Sequence, residues 1–386
     1  MTALTPREQS LSLAAVIAAA FGVGMSFGVG LPLTSLTLEA WGEPKWVIGL
    51  AGAVPALAIL ILLPLLPPVV ARAGAVKAIL TGCVIGAAGF LALYAFQSTP
   101  AWIVTRFIMS GALALPWLAG ETWMNTVASD GARGRIIAIY AISFFLGFML
   151  GPLLLSVTGI SGVLPFVVGA AGSALASVPI LLAARLAPDM MHEGARSIAS
   201  ALKLAPIGMA GALLGGFAEM SYFSLLPNVG LASGLDQTRA LELMSVMTAG
   251  GIVLQFAIGW LADKMPRVAV TTGLTLTMLT LSALLPWAIM GPAAGPAVAF
   301  FLGGVILGFY TVGLSIIGEE VETRDLTSAN AAFLIMYQIG AIAGPFLSGA
   351  AMTFSPVIGF VATVSAAMFV GTLGVLWLAR SQRGTN

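Results

Sequence analysis

Charge is what this sequence has least of. Its 16 Lys and Arg and 15 Asp and Glu make up 8% of 386 residues, where a soluble domain carries about 25%. Too few polar side chains remain to cover a water-facing surface, so lipid must solvate the chain. A net charge of +1 gives no footprint for a nucleic-acid partner. Cys83 is the only cysteine, which excludes an intrachain disulfide and a cysteine metal cluster. The single histidine, His192, lies in the most polar stretch of the chain. A histidine-ligated metal centre, or a serine–histidine hydrolase with its base in the bilayer, therefore lacks its residues. No Gly-x-x-x-x-Gly-Lys-Ser/Thr stretch is present, so the chain does not hydrolyse ATP. The expectation is a protein that is not an enzyme and needs no cofactor or metal.

What the chain does have is apolar length. Hydrophobic residues make up 59% and mean hydropathy is +1.04. Unpaired backbone groups are costly in hydrocarbon, so only helices or a closed barrel can span it. The apolar runs are about 20 residues or longer and do not alternate, which selects helices. Breaks at charge, proline and glycine clusters place spans at about 11–38, 46–70, 76–96, 100–124, 136–158, 163–186, 204–227, 239–261, 268–290, 296–318, 329–352 and 356–379. The first run is too long for a signal-peptide core and reads as a retained helix. The expected fold is all-α, with twelve transmembrane helices in two pseudo-symmetric six-helix bundles, 1–186 and 204–386, joined by a polar linker at 187–203.

The pseudo-symmetry is written in the sequence. Gly111 is followed 36 residues later by Gly147, Gly151 and Pro152 in one segment; Gly304 is followed at the same step by Gly340, Gly344 and Pro345. Equivalent residues are 193 apart. The stretches Pro67–Gly74 around Arg72 and Gly259–Pro266 around Lys264 are offset by 192. A repeat of half the chain, apolar throughout, is a transporter's plan: two homologous bundles with a solute site near the midplane. With the N-terminus inside, 13 of the 16 basic residues fall on the inner side, so both termini are expected in the cytoplasm.

Local motifs carry a family resemblance. Gly259-Trp260-Leu261-Ala262-Asp263-Lys264-Met265-Pro266-Arg267 resembles the loop motif of the major facilitator superfamily, with Pro266 where glycine is usual. A carboxylate at Asp263 near the start of span 11 would gain from that helix dipole and could latch the inner side shut; an ordinary loop charge pair is the other reading. The first-half stretch keeps Arg72 and Gly74 but has Ala71 in place of the acid, so the latch should be asymmetric. Arg106, five residues before Gly111, resembles the superfamily's helix-4 motif, which implies a role in proton coupling. Two placements are open: facing the interior with a partner or a ligand anion, or snorkelling to the outer surface. The Gly147–Pro152 and Gly340–Pro345 stretches resemble the antiporter Gly-x-x-x-Gly-Pro motif, implying hinge or close-packing roles. Gly120–Asn125, Gly308–Glu322 and Ala329–Ala332 are similar to the YcaD-like branch.

Two acids stand inside helices. Glu219 lies deep in span 7 and is the preferred proton-coupling residue; a plain hydrogen bond to a neighbouring helix is the alternative. Glu121 is 15 residues from Arg106, about 22 Å along a helix, and so should pair instead with Arg133 or Arg135, or act as a proton site. The superfamily arrangement implies a cavity lined by Met25 and Ser26, Trp117, Tyr222 and Tyr310, with Asn330, Tyr337 and Gln338 as neighbours. Aromatic and methionine walls suit a lipophilic or amphipathic solute. The expected function is alternating-access secondary transport, proton-coupled export of small lipophilic compounds from a bacterial inner membrane, by a monomer whose partners are solute, protons and lipid. A facilitator or symporter, a lipid translocator and a non-transporting receptor or scaffold are the alternatives.

Overall fold

The computed structural model describes residues 5–129, 132–188, 202–322 and 325–383. In chain order its helices are α1 (Pro6–Ala40), α2 (Lys45–Leu62), α3 (Leu66–Ala73), α4 (Ala75–Ala95), α5 (Thr99–Val127), α6 (Arg133–Thr158), α7 (Leu164–Leu182), α8 (Pro206–Ala232), α9 (Gln237–Lys264), α10 (Arg267–Ala288), α11 (Ala294–Glu320), α12 (Leu326–Met352) and α13 (Pro356–Arg383). Twelve of them are long and apolar enough to cross a membrane. The short α3 is the exception. Most of the linker expected at 187–203, including His192, lies outside the described residues.

Two of the differences from the expected span boundaries have a local reason. The span expected at 46–70 is two helices, α2 and α3, with a turn over Leu63–Leu65. Pro64 supplies no N–H to the ladder and Pro67 starts the next helix afresh. Helix α1 begins at Pro6, several residues before the apolar run. Thr5 and Glu8 form a capping box there: the Thr5 N–H and hydroxyl donate to Glu8 Oε2 at 2.8 and 2.7 Å, and the Glu8 N–H donates back to Thr5 Oγ1 at 3.3 Å.

The chain forms two compact units, Met1–Leu33 with Ala58–Glu193, and Thr34–Leu57 with Gly194–Asn386. Packing thus groups the chain differently from the 1–186 and 204–386 halves, because the C-terminal end of α1 and most of α2 pack with the second unit. Asn228 of α8, fully buried, donates through Nδ2 to the Ser35 carbonyl at 3.2 Å and to Glu39 Oε2 at 3.1 Å. Glu39 also pairs with Lys45. Gly49 of α2 lies so close to Pro345 and Gly349 of α12 that a side chain there would run into their backbone.

Within each unit, glycines set the helix spacing. In unit 1 a Cβ on Gly24 would strike the Phe144 carbonyl, and one on Gly147 the Phe21 carbonyl. In unit 2 a Cβ on Gly216 would strike the Tyr337 carbonyl, and one on Gly340 the Leu213 carbonyl. Gly151 meets the backbone of Gly28, and Gly344 that of Phe217. Such approach lets dispersion and weak polar contacts hold helices together in lipid, where burial of apolar surface gives little.

Candidate functional site

The described interior of unit 2 carries one carboxylate that meets no base. Glu219 stands on α8, half-buried, and the Tyr337 hydroxyl of α12 donates to it. Tyr310 of α11 packs edge-on against Tyr337 with ring centroids 5.5 Å apart, and against Phe333 at 5.3 Å. Glu219, Tyr310 and Tyr337 all keep partial exposure. No described Lys or Arg forms an ion pair with Glu219, because the unit's described bases stand at helix ends or between helices. A carboxylate so placed can take up a proton when one side has access and release it when the other does.

The corresponding place in unit 1 is apolar. The glycine contacts fix the equivalence: Gly24 on the Phe144 carbonyl matches Gly216 on the Tyr337 carbonyl. Phe27 therefore answers to Glu219 and Phe144 to Tyr337, and their rings meet at 6.2 Å. Phe145 and Phe148 extend the aromatic cluster. Unit 1 has a half-buried acid at a different place. Glu121, half-buried, accepts from Trp117 Nε1 at 2.7 Å, and Tyr140 lies beside it. The expected partners Arg133 and Arg135 remain exposed at the start of α6, so the indole and not a guanidinium holds this carboxylate.

Arg106 does not snorkel. It is 2% exposed, and Gly30 of α1 leaves the room into which its Nη1 projects, close to Phe90. Its Nε and Nη2 have no hydrogen-bond partner among the described residues.

The expected cavity lining divides in two. Trp117, Tyr310 and Tyr337 are half-buried and Asn330 is exposed. Met25, Ser26, Tyr222 and Gln338 are buried. Ser26 is tied to the Gly169 carbonyl and Ser173, at 3.1 and 2.8 Å, and Tyr222 donates to Ser282 at 2.8 Å while its ring stands edge-on to Phe360. These hydroxyls are spent on holding helices. Tyr222, three residues after Glu219, turns towards α10 and α13 and does not share its environment. A groove of about 1030 Å³ runs between α8, α12 and α13, walled by residues such as Leu213, Phe217, Leu347 and Ile358, and presents no charged side chain.

At the motif loop, Asp263 is 75% exposed and its partner is Arg267, at 3.9 Å. Among the described residues no ion pair or hydrogen bond joins Asp263 to the start of α12, its expected partner. Arg267 instead grips Glu319 at the end of α11 through Nε and Nη2, and also reaches the Ala262 carbonyl. Lys264 lies 5.8 Å from the Trp260 ring centroid. A Cβ on Gly259 would meet Thr311 Cγ2 at 4.0 Å, an ordinary contact; Arg72 is exposed in the last turn of α3; Gly74, at φ +80°, caps that helix. Proline stands inside α6 at Pro152 and inside α12 at Pro345, one residue after Gly151 and Gly344.

Twelve membrane-length helices, a two-fold repeat and a base-free carboxylate inside one bundle define a polytopic membrane protein of transporter type. The chain belongs to the major facilitator superfamily, whose profile matches residues 13–310 and 208–386. It is 31% identical over 265 residues, 67% of each chain, to the uncharacterized MFS-type transporter YcaD of Escherichia coli O7:K1 (strain IAI39 / ExPEC). A second uncharacterized MFS-type transporter, from Enterobacter sp. (strain 638), is 28% identical over 317 residues, 81% of each chain. These relatives put it in the YcaD-like branch. Among solved structures, a mutant of the nucleoside transporter NupG aligns with a TM-score of 0.78 at 16% identity, over 95% of this chain and 99% of that one. A bacterial homologue of the human lysosomal transporter Spinster, inward-facing and unoccupied, aligns at 0.76 and 15%, over 97% and 96%. At that identity the likeness is one of fold.

Proposed function

We propose that this transporter is a proton-coupled exporter of small lipophilic or amphipathic compounds, working by alternating access with Glu219 as its coupling group. The observation that carries the reading is the Glu219 carboxylate, held by Tyr337 and unpaired with any described base. Proton exchange is the simplest use for such a group in a membrane interior. Half-exposed Tyr310 and Tyr337 suit a solute with aromatic or apolar surface. The charge distribution of the loops supports a bacterial inner-membrane location with both termini cytoplasmic, and the single chain with its internal repeat supports a monomer.

The test is a pH dye sealed inside proteoliposomes containing the purified protein, with lipophilic cations, neutral drugs and metabolites added in turn. A solute-dependent pH change in the wild type, absent from empty vesicles and from Glu219→Gln, is the expected result. Solute flux that continues in Glu219→Gln with its pH change intact would remove Glu219 and turn attention to Glu121 and Arg106. A second reading, lipid translocation, is favoured by the uncharged groove between α8, α12 and α13. It predicts movement of labelled lipid between leaflets in the same vesicles.

A further inference from the structure

We propose that the interior of unit 1 binds a small monovalent anion of chloride size, on Arg106 and Ser110 of α5. The two residues are one helical turn apart and so share a face of α5. Arg106 is 2% exposed and Ser110 1%. Arg106 Nε, Arg106 Nη2 and Ser110 Oγ are all buried and without a hydrogen-bond partner among the described residues. Buried polar groups are nearly always paired, and three orphans on one face of one helix point to a shared occupant.

Charge says what that occupant is. A guanidinium keeps its proton inside proteins, and an uncompensated cation in a membrane interior is costly. No carboxylate of the chain lies between Glu43 and Glu121. Glu121 is on the same helix but 15 residues away, about 22 Å, and is engaged by Trp117. Helices α4 and α7 contain no acid at all, and the acid of α1 in this unit is Glu8, capping its first turn. No described carboxylate forms an ion pair with Arg106, so an anion from outside the chain supplies the countercharge. The planar N–H groups of arginine, which donate only, and a hydroxyl able to donate beside them together suit an anion. Near-complete burial favours a small ion over the carboxylate of a bulky solute. Anion binding at Arg106 does not depend on proton coupling at Glu219.

The experiment uses the full chain purified in detergent, with chloride titrated against gluconate at constant ionic strength and the unfolding midpoint followed. A ligand that binds the folded state raises the midpoint saturably. The wild type is expected to show that rise. Arg106→Gln should abolish it, and Ser110→Ala, which keeps the guanidinium and removes one hydroxyl, should weaken the apparent chloride affinity about three- to tenfold. Should Arg106→Gln not fold, Ser110→Ala decides alone, joined by anomalous scattering beside Arg106 from crystals grown in bromide. Identical chloride and gluconate curves in the wild type would overturn the proposal. So would a chloride response unchanged in Ser110→Ala with no bromide signal. Stabilisation by benzoate but not chloride, lost with Arg106, would assign the site to a solute carboxylate and overturn the inorganic ion.

Discussion

In unit 1, Phe27 of α1 meets Phe144 of α6 ring to ring at 6.2 Å. At the equivalent positions of unit 2, Glu219 of α8 accepts a hydrogen bond from Tyr337 of α12. The backbones beneath are alike, with Gly24 pressed on the Phe144 carbonyl as Gly216 is on that of Tyr337. What was duplicated is the packing, and what diverged is the chemistry laid over it. The reason is physical. A close helix crossing tolerates only glycine, so both copies keep it, whereas a half-buried side chain nearby can be apolar in one copy and titratable in the other without moving either helix. The buried charges divide the same way. Unit 1 encloses a cation at Arg106, while unit 2 holds an acid at Glu219 that no described base pairs with.

The comparison breaks most sharply at Glu219. Glu219→Gln is expected to abolish the solute-dependent pH change in proteoliposomes, while Phe27→Leu, at the matching position, leaves it within about twofold of wild type, a swap of similar volume being tolerated. Equal losses in both would mean that the two units share the coupling step. The packing side is tested by Gly147→Leu and Gly340→Leu. Each is expected to destabilise by about 1–3 kcal/mol through overpacking, with similar drops in unfolding midpoint, because both glycines face a backbone carbonyl. A large loss in one and none in the other would break the equivalence of the two crossings.

Smaller effects sharpen the picture. Tyr337→Phe removes the donor to Glu219 and keeps the ring contact with Tyr310; loss of one hydrogen bond to a charged group costs about 1.5–3 kcal/mol. Coupled flux should fall at least several-fold with solute affinity less affected, as a split between half-saturation and maximal rate would show. Arg267→Ala should matter least, since its partner Glu319 is 57% exposed and exposed ion pairs contribute about 0–1 kcal/mol. Its unfolding midpoint should shift by a few degrees at most.

Much of this was legible before any coordinates. Twelve spans, the half-chain repeat and the close-packed glycines at Gly147, Gly151, Gly340 and Gly344 all stand in the chain order. Glu219 was marked as an acid deep in a helix, and its partner Tyr337 was named without its role. The repeat offset could also have shown that Phe27 and Phe144 occupy the matching positions. Other features were not readable. Met25, Ser26 and Tyr222 were expected on a cavity wall and are packed between helices. Asp263 was expected against the start of α12 and pairs with Arg267. The Asn228–Glu39–Lys45 link and the orphaned Ser110 had no signal, being single polar residues in apolar runs.

The sequence by itself determined the solvent, the spans and the duplication, because hydrocarbon imposes length and composition on every helix separately and each segment carries that record alone. Tertiary structure decided which way each helix turns. A helix apolar on all sides has no wet face to mark its rotation, so whether Glu219 meets Tyr337, or Arg106 turns inward or out, is settled only by the neighbours packed around it.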